Sequence, residues 1–124
     1  MRAILPVPFA LLLAAAPVTD REWTLGESTA PLGAGGRPAT LRLESATSRA
    51  VGFGGCNRFS ASYRLSGDSL SFGPVASTRM ACADGDALER SFLATMPAVA
   101  TYQVTDSILT LSGPDGVLVR FRSR

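Results

Sequence analysis

The residues that could do chemistry are concentrated in two short segments, GFGGCN at 52–57 and STRMAC at 77–82. These segments contain the two cysteines of the chain, Cys56 and Cys82, and the chain has neither histidine nor lysine. Nucleophile pairs that use histidine, histidine-bearing zinc sites and Schiff-base lysines are therefore excluded. Two cysteines alone do not make a structural zinc site, and these two lack the close spacing of a redox pair.

One cluster of carboxylates, Asp84, Asp86 and Glu89, follows the second segment. The cluster could supply an acid and a base for hydrolysis or bind a cation, but the first turn of a helix is also commonly negative. Asp86 and Glu89 fit a capping box, with Asp86 as the N-cap and Glu89 reaching back to it. We therefore predict no catalytic residue, no metal site and no cofactor, and keep a carboxylate-dependent hydrolase as an alternative.

Three polar residues beside the cysteines, Asn57, Arg58 and Arg79, are candidate contacts for an anion or another ligand. A bond between the cysteines would bring the two arginines close enough to hold an anion together. Two solvated arginines and an asparagine bonded to local backbone are the alternative. The glycine-rich stretches at 33–36 and 52–55 are not followed by the helix that a phosphate cradle requires.

The start of the chain predicts an exported protein. Arg2 precedes an uncharged apolar run, Ala3 to Ala16, that ends in small residues, as in a secretory signal peptide. The run is shorter than the roughly 20 residues that span a bilayer. We predict a signal peptide over 1–19 and one domain over 20–124, in the periplasm or secreted, without a stable membrane span after processing.

Charge and cysteine content narrow the class of protein further. Cleavage after Ala16 would leave eleven arginines against ten carboxylates, too small an excess to favour nucleic acid. In an oxidising compartment, an even number of cysteines indicates a disulfide, here Cys56–Cys82. Closing a loop of this size would stabilise the fold by about 3.5 kcal/mol on the chain-entropy model.

Hydrophobic periodicity predicts an α+β fold. Alternating apolar residues indicate strands, and spacing of three and four indicates one helix that begins at Asp86 and ends before Pro97. The predicted strands are 22–25, 39–44, 50–53, 58–65, 70–72, 99–104, 108–111 and 117–122. Short strands at close spacing favour a mostly antiparallel, rolled or barrel-like sheet with the helix packed against it.

Several motifs occur in an order that resembles the META domain family, which includes the heat-shock protein HslJ. They are GCNRF at 55–59, LSFG at 70–73, STRMAC at 77–82 and ERSFL at 89–93, and the resemblance extends from Trp23 to Phe121. The family's signature cysteines map onto Cys56 and Cys82. The resemblance implies a small, mostly β domain of the bacterial envelope, linked to stress and drug tolerance and without an established catalytic activity.

These observations lead to one functional prediction and two alternatives. We predict a monomeric, non-catalytic envelope domain that acts in stress or drug tolerance by binding a protein or a small hydrophobic ligand. The alternatives are the hydrolase described above and a structural, pilot-like accessory of an envelope or secretion complex. An apolar crevice would favour a ligand, whereas a flat apolar patch would favour a protein partner.

Overall fold

The structure, a computed structural model, describes residues 18–26 and 31–123. Within these ranges the chain forms nine strands and one α-helix. The strands are β1 (Glu22–Leu25), β2 (Thr40–Glu44), β3 (Arg49–Phe53), β4 (Arg58–Ser66), β5 (Ser69–Phe72), β6 (Ala76–Ser77), β7 (Thr101–Thr105), β8 (Ile108–Gly113) and β9 (Gly116–Arg122). Helix α1 spans Asp86–Thr95 and continues into a 3-10 turn at Met96–Ala98.

All the strands belong to one antiparallel sheet that closes on itself. Its order is β3-β2-β1-β9-β8-β7-β5-β4-β6, and β3 also pairs with β4. The joint between β5 and β7 is narrow, because the register pairs Ser69 with Thr101 and no other residues of those strands within the described chain. The predicted α+β class, with a rolled antiparallel sheet and one helix, is confirmed.

The core fills the inside of the ring. Leu41 and Leu43 of β2 are buried, as is Ala39 just before it, as their alternation with polar residues predicts. Trp23 of β1 is fully buried, and its indole Nε1 donates a hydrogen bond to the backbone oxygen of Val18 at 3.0 Å. Val18 thus packs in the core although it falls within the predicted signal segment 1–19; the cleavage site stays a prediction, and residues 1–17 lie outside the described residues.

Helix α1 is joined to opposite parts of the ring through Phe92. The Phe92 ring packs edge to face against Phe59 of β4, with 5.5 Å between centroids, and against Phe121 of β9, at 5.9 Å. Such aromatic contacts add about 0.5–1.5 kcal/mol each beyond the burial of apolar area. Because the helix carries this side chain into the core, its first turn is held at a fixed position over the corner between β3 and β4.

Two local predictions are wrong. The N-cap of α1 is Gly85 in a left-handed conformation, so Asp86 is the first helical residue and the capping box is absent. Val117 is 51% exposed, although the alternation predicted that it would share a face with Phe121. A β-bulge between Leu111 and Ser112 pairs Val117 with Ser112, and paired residues lie on the same face of a sheet.

Candidate functional site

The corner that follows β3 meets the start of α1 through backbone contacts that only glycine allows. Ala34 N–H donates to the carbonyl of Gly55 at 2.7 Å. A Cβ on Gly33 would lie 2.3 Å from that carbonyl oxygen, and a Cβ on Gly85 would lie 2.1 Å from it. Both glycine-rich stretches of the sequence therefore converge on the N-terminal end of the helix, where they bring three chain segments into contact.

The two cysteines form the predicted disulfide. Cys56 and Cys82 are bonded, with 5.9 Å between their Cα atoms. Cys56 is buried and Cys82 is half-buried, so the bond extends from the core to the surface. It joins the corner after β3 to the segment that enters α1. The Sγ of Cys56 also lies 3.3 Å from the backbone oxygen of Met80, a contact rather than a hydrogen bond because a disulfide sulfur carries no proton.

Asn57 is the centre of a buried hydrogen-bond network beside the disulfide. Its Oδ1 accepts hydrogen bonds from the Thr78 hydroxyl at 2.9 Å and from the Met80 N–H at 2.8 Å. Its Nδ2 donates to the Met80 carbonyl at 3.2 Å and to Glu89 Oε2 at 2.7 Å. The side-chain amide has two donors and an acceptor with two lone pairs, so its capacity is fully used. Asn57 thereby holds residues 78–80 against the corner independently of the disulfide.

Glu89 completes the network from the helix. Its Oε1 accepts hydrogen bonds from the backbone N–H groups of Cys56, at 3.0 Å, and Asn57. The carboxylate is buried and makes no ion pair within residues 18–26 and 31–123. Peptide N–H donors and the positive end of the α1 dipole provide its electrostatic stabilisation instead. This role for Glu89 was missed, because the capping-box pattern assigned its carboxylate to the helix itself.

The two other carboxylates of the predicted cluster are placed differently. Asp86 is half-buried, and its Oδ1 accepts a hydrogen bond from the N–H of Cys82 at 3.3 Å. Asp84 is exposed. The three acidic residues are therefore separated by environment, and two of them are engaged by backbone donors. An acid–base pair for hydrolysis would need carboxyl oxygens that remain free to meet a substrate.

The predicted anion contacts are brought near one another only in part. The N–H of Thr78 donates a hydrogen bond to the Arg58 carbonyl at 3.2 Å. Arg79 is the next residue after Thr78, so its backbone lies close to that of Arg58. Arg58 and Arg79 line two neighbouring surface grooves, and Asn57 lines the same groove as Arg79. The donors and the acceptor of the Asn57 side-chain amide are already hydrogen-bonded within the protein. An anion contact by Asn57, Arg58 and Arg79 stays a prediction.

A second feature, distant from the disulfide, is an apolar crevice between α1 and the ring. The space inside it that a water-sized molecule could occupy is only about 10 Å³. The crevice is lined by Leu41, Phe72, Phe92, Thr95, Met96, Val99, Leu111, Val119 and Phe121. Phe72 ends β5 and Val99 precedes β7, so the crevice lies beside the narrow joint of the sheet. Ligand sites are typically about 300–1,000 Å³, so this crevice is nearly filled by its own side chains and would have to widen before it could hold an apolar group.

Comparisons with known proteins agree on a family and a fold. The sequence profile of the META domain matches residues 16–124. An NMR structure of a protein from Burkholderia xenovorans is 29% identical, with a TM-score of 0.69, over 98% of this chain and 99% of that one. A second NMR structure is 23% identical, with a TM-score of 0.63, over 83% and 88% of the two chains, and shows the fold alone. No curated protein matches significantly.

Within the described residues, no helix has the length and apolar character that crossing a bilayer requires.

Proposed function

The chain belongs to the META domain family, and on that basis we propose that it is a non-catalytic, exported domain of the bacterial envelope that binds an apolar ligand in stress or drug tolerance. One observation carries the non-catalytic part of the proposal. Every polar group of the Asn57 side chain is bonded inside the molecule, and Glu89 accepts three hydrogen bonds from the same corner. The residues that most resemble an active site therefore hold the fold together.

The crevice under α1 supports an apolar ligand over a polar one. Among its lining residues only Thr95 carries a polar side chain, and the Thr95 hydroxyl donates to the Ser91 carbonyl at 2.9 Å. An alkyl group placed there would gain about 25 cal/mol for each Å² of apolar surface removed from water. Because the crevice is nearly filled in this structure, any alkyl group would need α1 to shift or the joint between β5 and β7 to open.

The disulfide supports export. Disulfides persist in oxidising compartments and are rare in the cytosol of mesophiles. The apolar run at 3–16 gives an independent reason to expect secretion. Mass spectrometry of protein from the periplasmic and culture fractions, without reductant, should find a chain shortened at its N-terminus with no free thiol. A full-length chain with two free thiols would contradict export.

The binding proposal is tested with a fluorescent fatty acid as the probe and two matched variants. Val119 lines the crevice, whereas Val117 lies on the same strand and is exposed. We expect Val119→Phe to fill the crevice and weaken probe binding about tenfold or more, equivalent to about 1.4 kcal/mol. Val117→Phe should bind as the wild type does.

Two outcomes would contradict an apolar site under α1. The first is no saturable binding to the wild type, and the second is equal binding by the two phenylalanine variants. In the first case, crosslinking in envelope fractions would test the alternative of a protein partner. An enzyme would instead be indicated if turnover were detected and lost in Glu89→Gln.

A further inference from the structure

Three atoms capable of binding a metal ion lie together where α1 begins. They are the Sγ atoms of Cys56 and Cys82 and a carboxylate oxygen of Asp86, all within 4.8 Å of one another. The Asp86 carboxylate is oriented toward the disulfide by the hydrogen bond that it accepts from the N–H of Cys82. The sequence did not indicate this cluster, because Asp86 was assigned to a helix cap.

The set of donors fits a thiophilic divalent cation. Zinc binds thiolate sulfur at about 2.3 Å and carboxylate oxygen at about 2.0–2.2 Å, usually in a tetrahedron, so its ligand atoms lie about 3.5–3.8 Å apart. The three donors need only small movements to reach these separations once the sulfurs are no longer bonded. Cys82 and Asp86 are half-buried rather than fully buried, so water could supply the fourth ligand.

The disulfide blocks this site, because neither bonded sulfur carries the thiolate charge that a metal needs. We propose that reduction of Cys56–Cys82 creates a site for one zinc-like cation, held by both thiolates and by Asp86. In the first step, a dithiol gives two electrons and two protons to the disulfide and becomes a disulfide itself. In the second step, the cation displaces the two thiol protons into solvent. The disulfide and the metal site are thus mutually exclusive states of one corner.

Asn57 explains why the donors stay together after reduction. Thr78 and Met80 form hydrogen bonds of 2.8–3.2 Å with the Asn57 side chain, and these hydrogen bonds do not depend on the disulfide. The segment that carries Cys82 is therefore held near Cys56 without the covalent bond. A site whose donors are already positioned loses less conformational entropy when the ion binds.

The test uses Co²⁺ as a spectroscopic probe on the full exported chain. The protein is reduced with a dithiol, the dithiol is removed without oxygen, and Co²⁺ is titrated. We expect one Co²⁺ per chain, with a thiolate-to-cobalt charge-transfer band and visible bands of tetrahedral intensity that Zn²⁺ abolishes. The oxidised protein should show neither band.

Three variants locate the site. Cys82→Ser should lose most of the charge-transfer intensity, and Asp86→Asn should weaken Co²⁺ binding about tenfold or more. Asp84→Asn, which changes an exposed carboxylate outside the cluster, should bind as the wild type does. Absence of the band in reduced wild type would overturn the proposal, as would equal affinity of Asp86→Asn and the wild type.

Circular dichroism of the reduced, metal-free chain covers the case in which reduction unfolds the protein. Recovery of the native spectrum on addition of Co²⁺ would support the site. An unfolded chain whose spectrum Co²⁺ does not restore would overturn it.

Discussion

Asn57 shows how a residue type that is typical of catalytic sites can have a structural task. It is the single asparagine in the sequence, it is 4% exposed, and it joins the corner after β3, the segment 78–80 and α1. Buried polar groups cost free energy unless they are paired, so a hub of this kind stabilises only while every bond is made. The network is consequently sensitive to the loss of a donor.

The substitution Asn57→Asp tests that sensitivity without changing the size of the side chain. It replaces the two Nδ2 donors with an oxygen that faces Glu89 Oε2 and the Met80 carbonyl, both of which are acceptors. We expect the free energy of unfolding at pH 7 to fall by about 2–4 kcal/mol. Urea denaturation measures the change, and Gln103→Glu, the same amide-to-acid change on exposed β7, should cost less than about 0.5 kcal/mol. Equal effects of the two variants would refute the hub.

Asp20 is a second residue with a structural role, and the direction of its pKa shift predicts how the stability of the fold depends on pH. Hydrogen bonds from the Ser45 side chain and then from the Ser45 N–H lower the pKa of Asp20 below its ordinary value of 3.8. The folded carboxyl therefore binds a proton less readily than the unfolded one. Its stabilisation is present above pH 3.8 and is lost as the pH falls through the folded pKa.

Removal of the charge in Asp20→Asn should make that contribution disappear. We expect the melting temperature of the wild type to exceed that of the variant at pH 7, with a difference that shrinks as the pH falls below 3.8. Thermal melts followed by circular dichroism at a series of pH values would show it. Asp115→Asn, at an exposed turn, provides the control. A difference between wild type and Asp20→Asn that does not change with pH would contradict the assignment.

Close backbone approach at the glycine corner decides how α1 meets the loop before β2. Gly33 has a φ of −88°, which any residue can adopt, so only the contact with Gly55 excludes a side chain there. Gly36 has a φ of +72° but nothing within 4 Å of its Cβ position. A substitution at Gly33 therefore tests a steric clash between two segments, whereas a substitution at Gly36 tests local backbone strain.

We expect Gly33→Ala to be the more damaging of two matched substitutions. The clash should cost about 1–3 kcal/mol, because the Gly55 carbonyl cannot move without breaking its hydrogen bond from Ala34. Gly36→Ala should cost about 1 kcal/mol from the left-handed conformation alone. Both values come from urea denaturation of the purified proteins. A smaller loss for Gly33→Ala than for Gly36→Ala would mean that the corner relaxes easily.

The sequence predicted the elements well because most of them express a local pattern. Alternation located β2 and β4 with their inward faces, and the spacing of Phe92 and Met96 located the helix. The hydrogen bonds of Glu89 could not be predicted from a local pattern, because its partners lie 32 and 33 residues away in the chain. The contact between Gly33 and Gly55 and the bulge that exposes Val117 likewise depend on how distant segments meet.

At the scale of the whole molecule, the ring is unevenly closed. Five residue pairs join β3 to β4, whereas Ser69 and Thr101 make the one pair between β5 and β7. Two backbone hydrogen bonds flank that pair, from Leu70 N–H to the Ala100 carbonyl and from Tyr102 N–H to the Asp68 carbonyl. The disulfide and the Asn57 network reinforce the corner beside β3 and β4. The joint between β5 and β7, which β4 and β5 separate from that corner, depends on α1 and the crevice residues.

This asymmetry predicts where the molecule opens first. Native-state hydrogen exchange should find the amides of Leu70 and Tyr102 exchanging about tenfold or more faster than the slowest amides between β3 and β4. Because Phe72 and Val99 line the crevice on either side of the joint, an alkyl ligand bound there should slow exchange of the same two amides. Equal protection at the two joints would mean that the ring opens as one unit, and the crevice would then admit a ligand only through movement of α1.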